Sequence, residues 1–202
     1  MKNDNKILQA LYKNQFSKSL IHRILDARAG ELGKRILPYL NRDGLILDIG
    51  PASCTVTEWL INKELKVFPL DIQDYSIVST ISPTLYDGDR MPFKDDQFDT
   101  SLLLFVLHHS PEPEKLLAEV KRVSKKVLIL EDIITSPTHK HLTAFMDGLL
   151  NLEFFAQPHS NKYDDEWQSL YNRMGFELLS REYWRSSIVI KHALYSLEKK
   201  PD

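Results

Sequence analysis

From Thr100 to Leu107 the chain reads TSLLLFVL, a near-continuous apolar run. A strand that is apolar on both faces must be covered on both, as in the centre of a parallel sheet packed between helices. Two further apolar runs end on acids, LILDIG at Leu45–Gly50 and KVFPLDI with Asp71. The spacing predicts strands at Leu45–Ile49, Lys66–Asp71, Leu85–Tyr86, Thr100–Leu107 and Lys126–Leu130. Helices are expected at Thr55–Asn62 and at Glu114–Val123, where Pro111 and Pro113 suit a helix start. Strand and helix alternating in this way give a doubly wound α/β fold with right-handed crossovers. The rhythm then breaks. After a helix at Asp164–Met174, the segments Phe176–Tyr183 and Ser187–Leu197 alternate like two strands of an antiparallel hairpin, turning near Trp184–Ser186.

The first forty residues carry helical apolar spacing (Ile7, Leu8, Leu11, Tyr12, Phe16, Leu20, Ile21, Ile24, Leu25) with lysines and arginines between. They read as a helical segment that docks on the domain or lids its site, stopped by Pro38 and the turn Asn41-Arg42-Asp43-Gly44. Residues 136–163 have helical spacing without a strand and read as an insertion over the site. The 202 residues are expected to form one domain. A net charge of −2 argues against a general nucleic-acid binder. The lone cysteine, Cys54, excludes an internal disulfide framework and is most simply a small loop residue. No signal-peptide core and no run of membrane-spanning length is present, so a cytoplasmic location without stable membrane insertion is expected.

Ligands of open α/β sheets bind beyond the carboxyl ends of the strands. Asp48-Ile49-Gly50-Pro51-Ala52-Ser53-Cys54 follows the first strand there and turns toward a helix, where small residues let backbone approach a ligand. About twenty residues past that turn Asp71 can accept ribose hydroxyls, with Asp74 as a nearby substitute. Such an acid indicates an adenosine without naming the cofactor, because nicotinamide enzymes share it.

The ordered run Asp87-Gly88-Asp89-Arg90-Met91-Pro92-Phe93, then Asp95-Asp96-Gln97-Phe98-Asp99, is similar to the D-x-x-x-L-P-F…D-x-x-F-D pattern of the methyltransferase type 11 family, within the class I S-adenosylmethionine-dependent methyltransferases. Leu107-His108-His109 before a proline-rich helix start, and Leu117-Ala118-Glu119-Val120-Lys121-Arg122-Val123, resemble that family's LHH and LxExxRV segments. The resemblance spans about residues 45–176 and implies a Rossmann-like, mostly parallel sheet with helices on both faces and a closing antiparallel hairpin. It implies S-adenosyl-L-methionine as cofactor, held by Asp48, Gly50, Ala52, Asp71, Asp87, Gly88, Met91 and Leu107. In it Asp87 accepts from the adenine amino group, the Gly88 N–H meets a ring nitrogen, and Met91 packs beside the adenine. The family's acid-x-Gly-x-Gly-x-Gly loop is matched only at its first glycine; Ala52 and Cys54 replace the others.

Methyl transfer needs a nucleophile held in line and often one proton removed. His109 is expected on the substrate side and His108 against the cofactor, as strand neighbours on opposite faces. Glu131, Asp147, Asn151 and His159 could orient a hydroxyl, amine or carboxylate. The acids form no metal-ligand spacing, so no metal is expected. The expected activity is methyl transfer to a small-molecule or lipid-precursor nucleophile at O, N or C, with a homodimer possible. The alternative is a degenerate fold that binds an adenosyl ligand or a protein partner without turnover. A nicotinamide oxidoreductase would want Gly-x-Gly-x-x-Gly after the first strand.

Overall fold

The computed structural model describes residues 15–134, 161–186 and 190–200, and the side chains of these from residue 21 onward. Seven strands form one sheet in the order β3-β2-β1-β4-β5-β7-β6. They are β1 (Leu45–Ile49), β2 (Lys66–Asp71), β3 (Thr84–Leu85), β4 (Phe98–Leu104), β5 (Ser124–Asp132), β6 (Phe176–Arg185) and β7 (Lys191–Lys199). Strands β1–β5 pair in parallel, and β7 runs antiparallel between β5 and β6. Among the described residues the α-helices are α1 (Gln15–Ile36), α2 (Thr55–Ile61), α3 (Pro113–Val123) and α4 (Asp164–Arg173). The expected doubly wound sheet with its closing hairpin is the observed architecture.

Strand alternation divides the core in two. Leu47, Ile49, Leu103, Val127 and Ile129 point to one face, where Leu117, Val120 and Val123 of α3 and Trp167, Leu170 and Tyr171 of α4 cover them. Ile46, Leu102, Leu128 and Leu130 point to the other, against Leu32 and Ile36 of α1 and Leu60 of α2. The apolar doublets of the strands therefore serve two separate cores, which is why the central runs lack a polar face. Gly33 permits the α1–α2 contact, since a Cβ there would lie 2.2 Å from the Trp59 ring.

The structure adjusts three expectations. Strand β4 starts at Phe98 and stops at Leu104, because Phe105 adopts φ +62° and leaves the ladder; the apolar run continues as a 3-10 turn over Leu107–His109. The first hairpin strand runs on to Arg185 and the second starts at Lys191, so Trp184 and Arg185 belong to a strand rather than to the turn. Ile24, expected on the inward face of the first helix, is 60% exposed. Asp147, Asn151, His159 and most of the 136–163 insertion lie outside the described residues, as do Ile7, Leu8, Leu11 and Tyr12.

Candidate active site

The turn after β1 keeps a glycine-type backbone at all three expected positions. Gly50, Ala52 and Cys54 have φ of +65°, +46° and +59°. For alanine and cysteine this region costs about 1–2 kcal/mol each and persists only where the surroundings impose it. Here Gly50 N–H bonds Leu70 O at 2.9 Å and Cys54 N–H bonds Pro51 O at 2.9 Å. At the first position a side chain is strained twice, by the positive φ and by a Cβ that would sit 3.0 Å from Cγ2 of Val106. Cys54 is fully buried, and burial pushes its thiol up to about 11, so it is not an activated nucleophile.

Asp48 lies beneath this turn rather than on its open side. It is 2% exposed and accepts the Thr57 hydroxyl of α2 at 2.6 Å. Burial pushes its carboxyl up to about 6, with the Asp71 charge adding to the rise and the Thr57 bond opposing it. Asp48 thus ties strand to helix across the turn. Asp71, at the end of β2, holds the same turn from the side. Its Oδ1 accepts Ile72 N–H at 2.7 Å and Gln73 N–H at 3.4 Å. Burial raises this carboxyl despite the neighbouring backbone N–H groups of Gln73, Ile72 and Ala52, which favour its charged form.

Beyond it, Gly88 (φ +85°) approaches the 63%-exposed side chain of Ile72, with room for a Cβ contact at 3.6 Å. Asp87 is exposed and folds back on its own turn, accepting the N–H groups of Asp89 at 2.9 Å and Arg90 at 3.4 Å, which hold its carboxyl below the usual range. Met91 is 1% exposed, in the core under this loop.

The Leu117–Val123 segment turns out to be the loop's clamp, a role its sequence did not disclose. Glu119 accepts Met91 N–H at 2.8 Å. Arg122 donates to Met91 O at 3.0 Å, Phe93 O at 2.8 Å, Asp95 at 2.9 Å and both oxygens of Glu119. The planar guanidinium suits this fan of acceptors. Phe98 is core, and Asp99 pins the first N–H of β1 at 2.9 Å while pairing with Lys125 at 2.9 Å. Much of the 87–99 pattern is therefore scaffold for the few residues at the sheet edge.

Two buried histidine–carboxylate pairs close the edge, on opposite faces of the sheet. His108 Nδ1 lies 2.5 Å from Glu131 Oε2, and Glu131 Oε1 accepts Leu107 N–H at 2.8 Å. Both oxygens of this fully buried glutamate thereby fix the 3-10 turn that follows β4. His108 and His109 stand side by side on that turn, ring centroids 4.0 Å apart, instead of on opposite faces of a strand. Leu107 beside them is fully buried. The second pair escaped the sequence reading: His192 Nδ1 lies 2.5 Å from Asp132 Oδ1, and its Nε2 is 2.8 Å from Ser186 Oγ. Residues 132 and 192 face each other across the β5–β7 ladder, a register no local pattern encodes.

Residues 47–128 match the family described as a methyltransferase domain. Over that stretch the chain is similar to the type 11 methyltransferases. Over 86 residues it is 31% identical to the ubiquinone/menaquinone biosynthesis C-methyltransferase UbiE of Psychromonas ingrahamii; the match spans 41% of this chain and 34% of that protein. A methyltransferase structure from Bacillus halodurans C-125 superposes with TM-score 0.65 at 13% identity, over 87% of this chain and 99% of that one. An S-adenosylmethionine-dependent methyltransferase from Methanosarcina mazei does so with TM-score 0.65 at 18% identity, over 83% and 98%. The cyclase SpnF shares the fold too, with TM-score 0.66 at 12% identity, over 88% and 81%. Such likenesses establish the fold of this chain, not a reaction or an acceptor.

S-adenosylmethionine is the cofactor of this methyltransferase family, and the residues at the sheet edge fit it. The turn at Gly50–Cys54 keeps its three left-handed positions without three glycines, and a Cβ on Gly50 would collide with Val106. The carboxylate of Asp71 ends β2, and Ile72 and Asp87 are exposed beyond the ends of β2 and β3. Among the described residues no three metal-binding side chains gather, and no helix is long and apolar enough to cross a membrane.

Proposed function

We propose that the protein transfers the methyl group of S-adenosylmethionine to a small-molecule nucleophile at O, N or C. The observation that carries this reading is the strained turn: Ala52 and Cys54 hold positive φ although neither is glycine. Backbone strain of this kind clusters at active sites and ligand clamps. In this reading the turn's backbone faces the amino-acid part of the cofactor, and Gly50 gives it room. Asp71 accepts from the ribose hydroxyls, while Ile72, Asp87 and Gly88 receive the adenine. Asp48 and Met91 support from beneath. When bound, the cofactor supplies an electrophilic methyl group on a sulfonium.

The chain's own work is then to orient the nucleophile and exclude water. His109, beside the Glu131-anchored His108, faces the substrate, and Asp147, Asn151 and His159 are assigned to it as well. The unit acts as one domain, with 1–40 and 136–163 around the site, in the cytoplasm and without nucleic acid. UbiE, by its name a C-methyltransferase of quinone biosynthesis, makes phenols and quinols the first acceptors to try. The test is transfer of a labelled methyl group from S-adenosylmethionine to a panel of phenols, quinols, amines and carboxylates. Label in an extracted product supports the reading. A folded protein that binds the cofactor and labels no acceptor in the panel favours the non-catalytic alternative, consistent with a fold that also serves the cyclase SpnF.

A further inference from the structure

Both histidine–carboxylate pairs are buried, but one is locked and the other, with His192 8% exposed, touches an exposed hydroxyl. His108 is 1% exposed and Glu131 is fully buried, with both carboxylate oxygens spent on His108 and on the Leu107 N–H. That pair secures the turn after β4. His192 differs. Asp132 engages its Nδ1, which places the proton there and leaves Nε2 as the lone-pair nitrogen. Nε2 in turn reaches the hydroxyl of Ser186, an exposed residue at the end of β6. A carboxylate behind the imidazole and a hydroxyl in front is the arrangement that removes a proton from an oxygen nucleophile.

The surroundings specify what kind of oxygen. The His192 ring lies 5.5 Å from the Phe105 ring and 5.2 Å from that of Trp184, measured between centroids. Arg28 of α1 stands over Phe105 at 5.1 Å, and Arg35 over Trp184 at 4.3 Å, the latter also paired with Glu182 at 2.7 Å. The histidine therefore stands beside two aromatic rings, one met edge-on and one tilted, each with a guanidinium group over it, a setting for a flat ring that carries developing negative charge. It also joins the cofactor edge. Phe105 leaves β4 with positive φ, its N–H bonded to Leu130 O at 2.7 Å, and its neighbour Val106 packs against Gly50 of the strained turn.

We propose that His192, positioned by Asp132, is the base that takes the proton from an aromatic hydroxyl seated against Phe105 and Trp184. This rests on the methyl-transfer reading above and names its substrate class. The O–H bond of the acceptor breaks and its proton goes to Nε2. The electron pair left on oxygen forms the bond to the methyl carbon as the carbon–sulfur pair returns to sulfur. Ser186 occupies the acceptor's hydrogen-bond position in the ligand-free protein and gives it up on binding.

The experiment is a spectrophotometric titration of the full chain with 4-nitrophenol, without cofactor, in buffer below the probe's own ionisation midpoint. Bound probe is expected to show the nitrophenolate band, with its ionised-to-neutral ratio raised at least tenfold over free probe. His192→Gln is expected to lose that tenfold, and Asp132→Asn to lose most of it, both with native circular dichroism. Ser186→Ala, at an exposed position, is expected to bind the probe at least threefold tighter, which keeps the test open if the histidine variant does not fold. No band with folded wild-type protein, a band unchanged by His192→Gln, or unchanged or weaker binding by Ser186→Ala would each overturn the assignment. So would covalent labelling of Ser186 by a fluorophosphonate, which would make the serine a nucleophile served by the same histidine. Because no cofactor is used, failure here leaves the methyl-transfer reading standing, and that reading fails separately in cofactor binding.

Discussion

Asp48→Asn tests the packing of the turn through its pH dependence. The Asp48 carboxyl is 2% exposed and has one side-chain donor, Thr57. Burial moves it from 3.8 to about 6. The direction matters: in the unfolded chain this acid ionises near 3.8, whereas the native state holds its proton until about 6. Native stability therefore falls as pH rises through that window, and above it the whole penalty stands. The shift corresponds to about 3 kcal/mol at 1.36 kcal/mol per pKa unit. Asparagine cannot ionise and escapes this penalty. Its new amide N–H group costs about 1–3 kcal/mol if it finds no acceptor, but that cost is the same at every pH. The quantity to measure is thus a double difference, from urea unfolding of wild type and variant at about pH 4 and about pH 7.5. The variant should gain about 2–3 kcal/mol relative to wild type between the two, or about 5–10 °C in Tm for a domain of this size. An effect of the substitution that is the same at both pH values would refute the argument, since it would mean that the carboxylate is solvated and the turn is not packed on it.

Other substitutions probe the rest of the edge. Arg122→Ala removes a fan of five hydrogen bonds and leaves the Met91 and Phe93 carbonyls without it, costing about 2–4 kcal/mol in urea unfolding. Arg122→Lys should recover less than half, because one ammonium cannot span those acceptors. Gly50→Ala meets both a positive φ and Val106, so it should lose about 1–3 kcal/mol of stability and at least tenfold in cofactor affinity, read by calorimetry. Ala52→Gly relieves strain and should bind at least as tightly as wild type; weaker binding would count against the turn's role. Gly33→Ala drives a methyl into the Trp59 ring and should cost about 1–3 kcal/mol, with a change in tryptophan fluorescence.

The sheet was legible because apolar runs that must be buried on both faces leave few alternatives. Leu45–Ile49 and Lys66–Asp71 have the expected bounds. What local pattern could not supply was any feature set by a contact distant in sequence. The run ending in Phe105-Val106-Leu107 looks like continuous strand, yet Glu131, from the next strand, captures the Leu107 N–H and favours a 3-10 turn. This put His108 and His109 on one turn. The composition of the Ala52–Cys54 stretch suggested a departure from a glycine loop, whereas the backbone retains the glycine conformation under the hold of Asp71 and the β2 edge. Met91 is held through its backbone by Glu119 and Arg122 of α3, 28 and 31 residues later, a contact no local pattern announces. His192 sat inside an ordinary strand pattern, and its partner lies 60 residues earlier, across a ladder whose register is fixed only by the assembled sheet.

The central claim is that this turn, with two of its three glycines replaced, still receives an adenosyl cofactor. Isothermal titration of S-adenosylmethionine and S-adenosylhomocysteine into wild type and Asp71→Ala, with NAD as control, tests it most directly. The account predicts saturable binding of both adenosyl ligands, no binding of NAD, and a loss of roughly ten- to a hundredfold in the variant, the worth of charge-assisted hydrogen bonds. Folded wild-type protein that shows no heat with either adenosyl ligand at millimolar concentration would contradict it, as would an Asp71→Ala variant that binds as tightly as wild type.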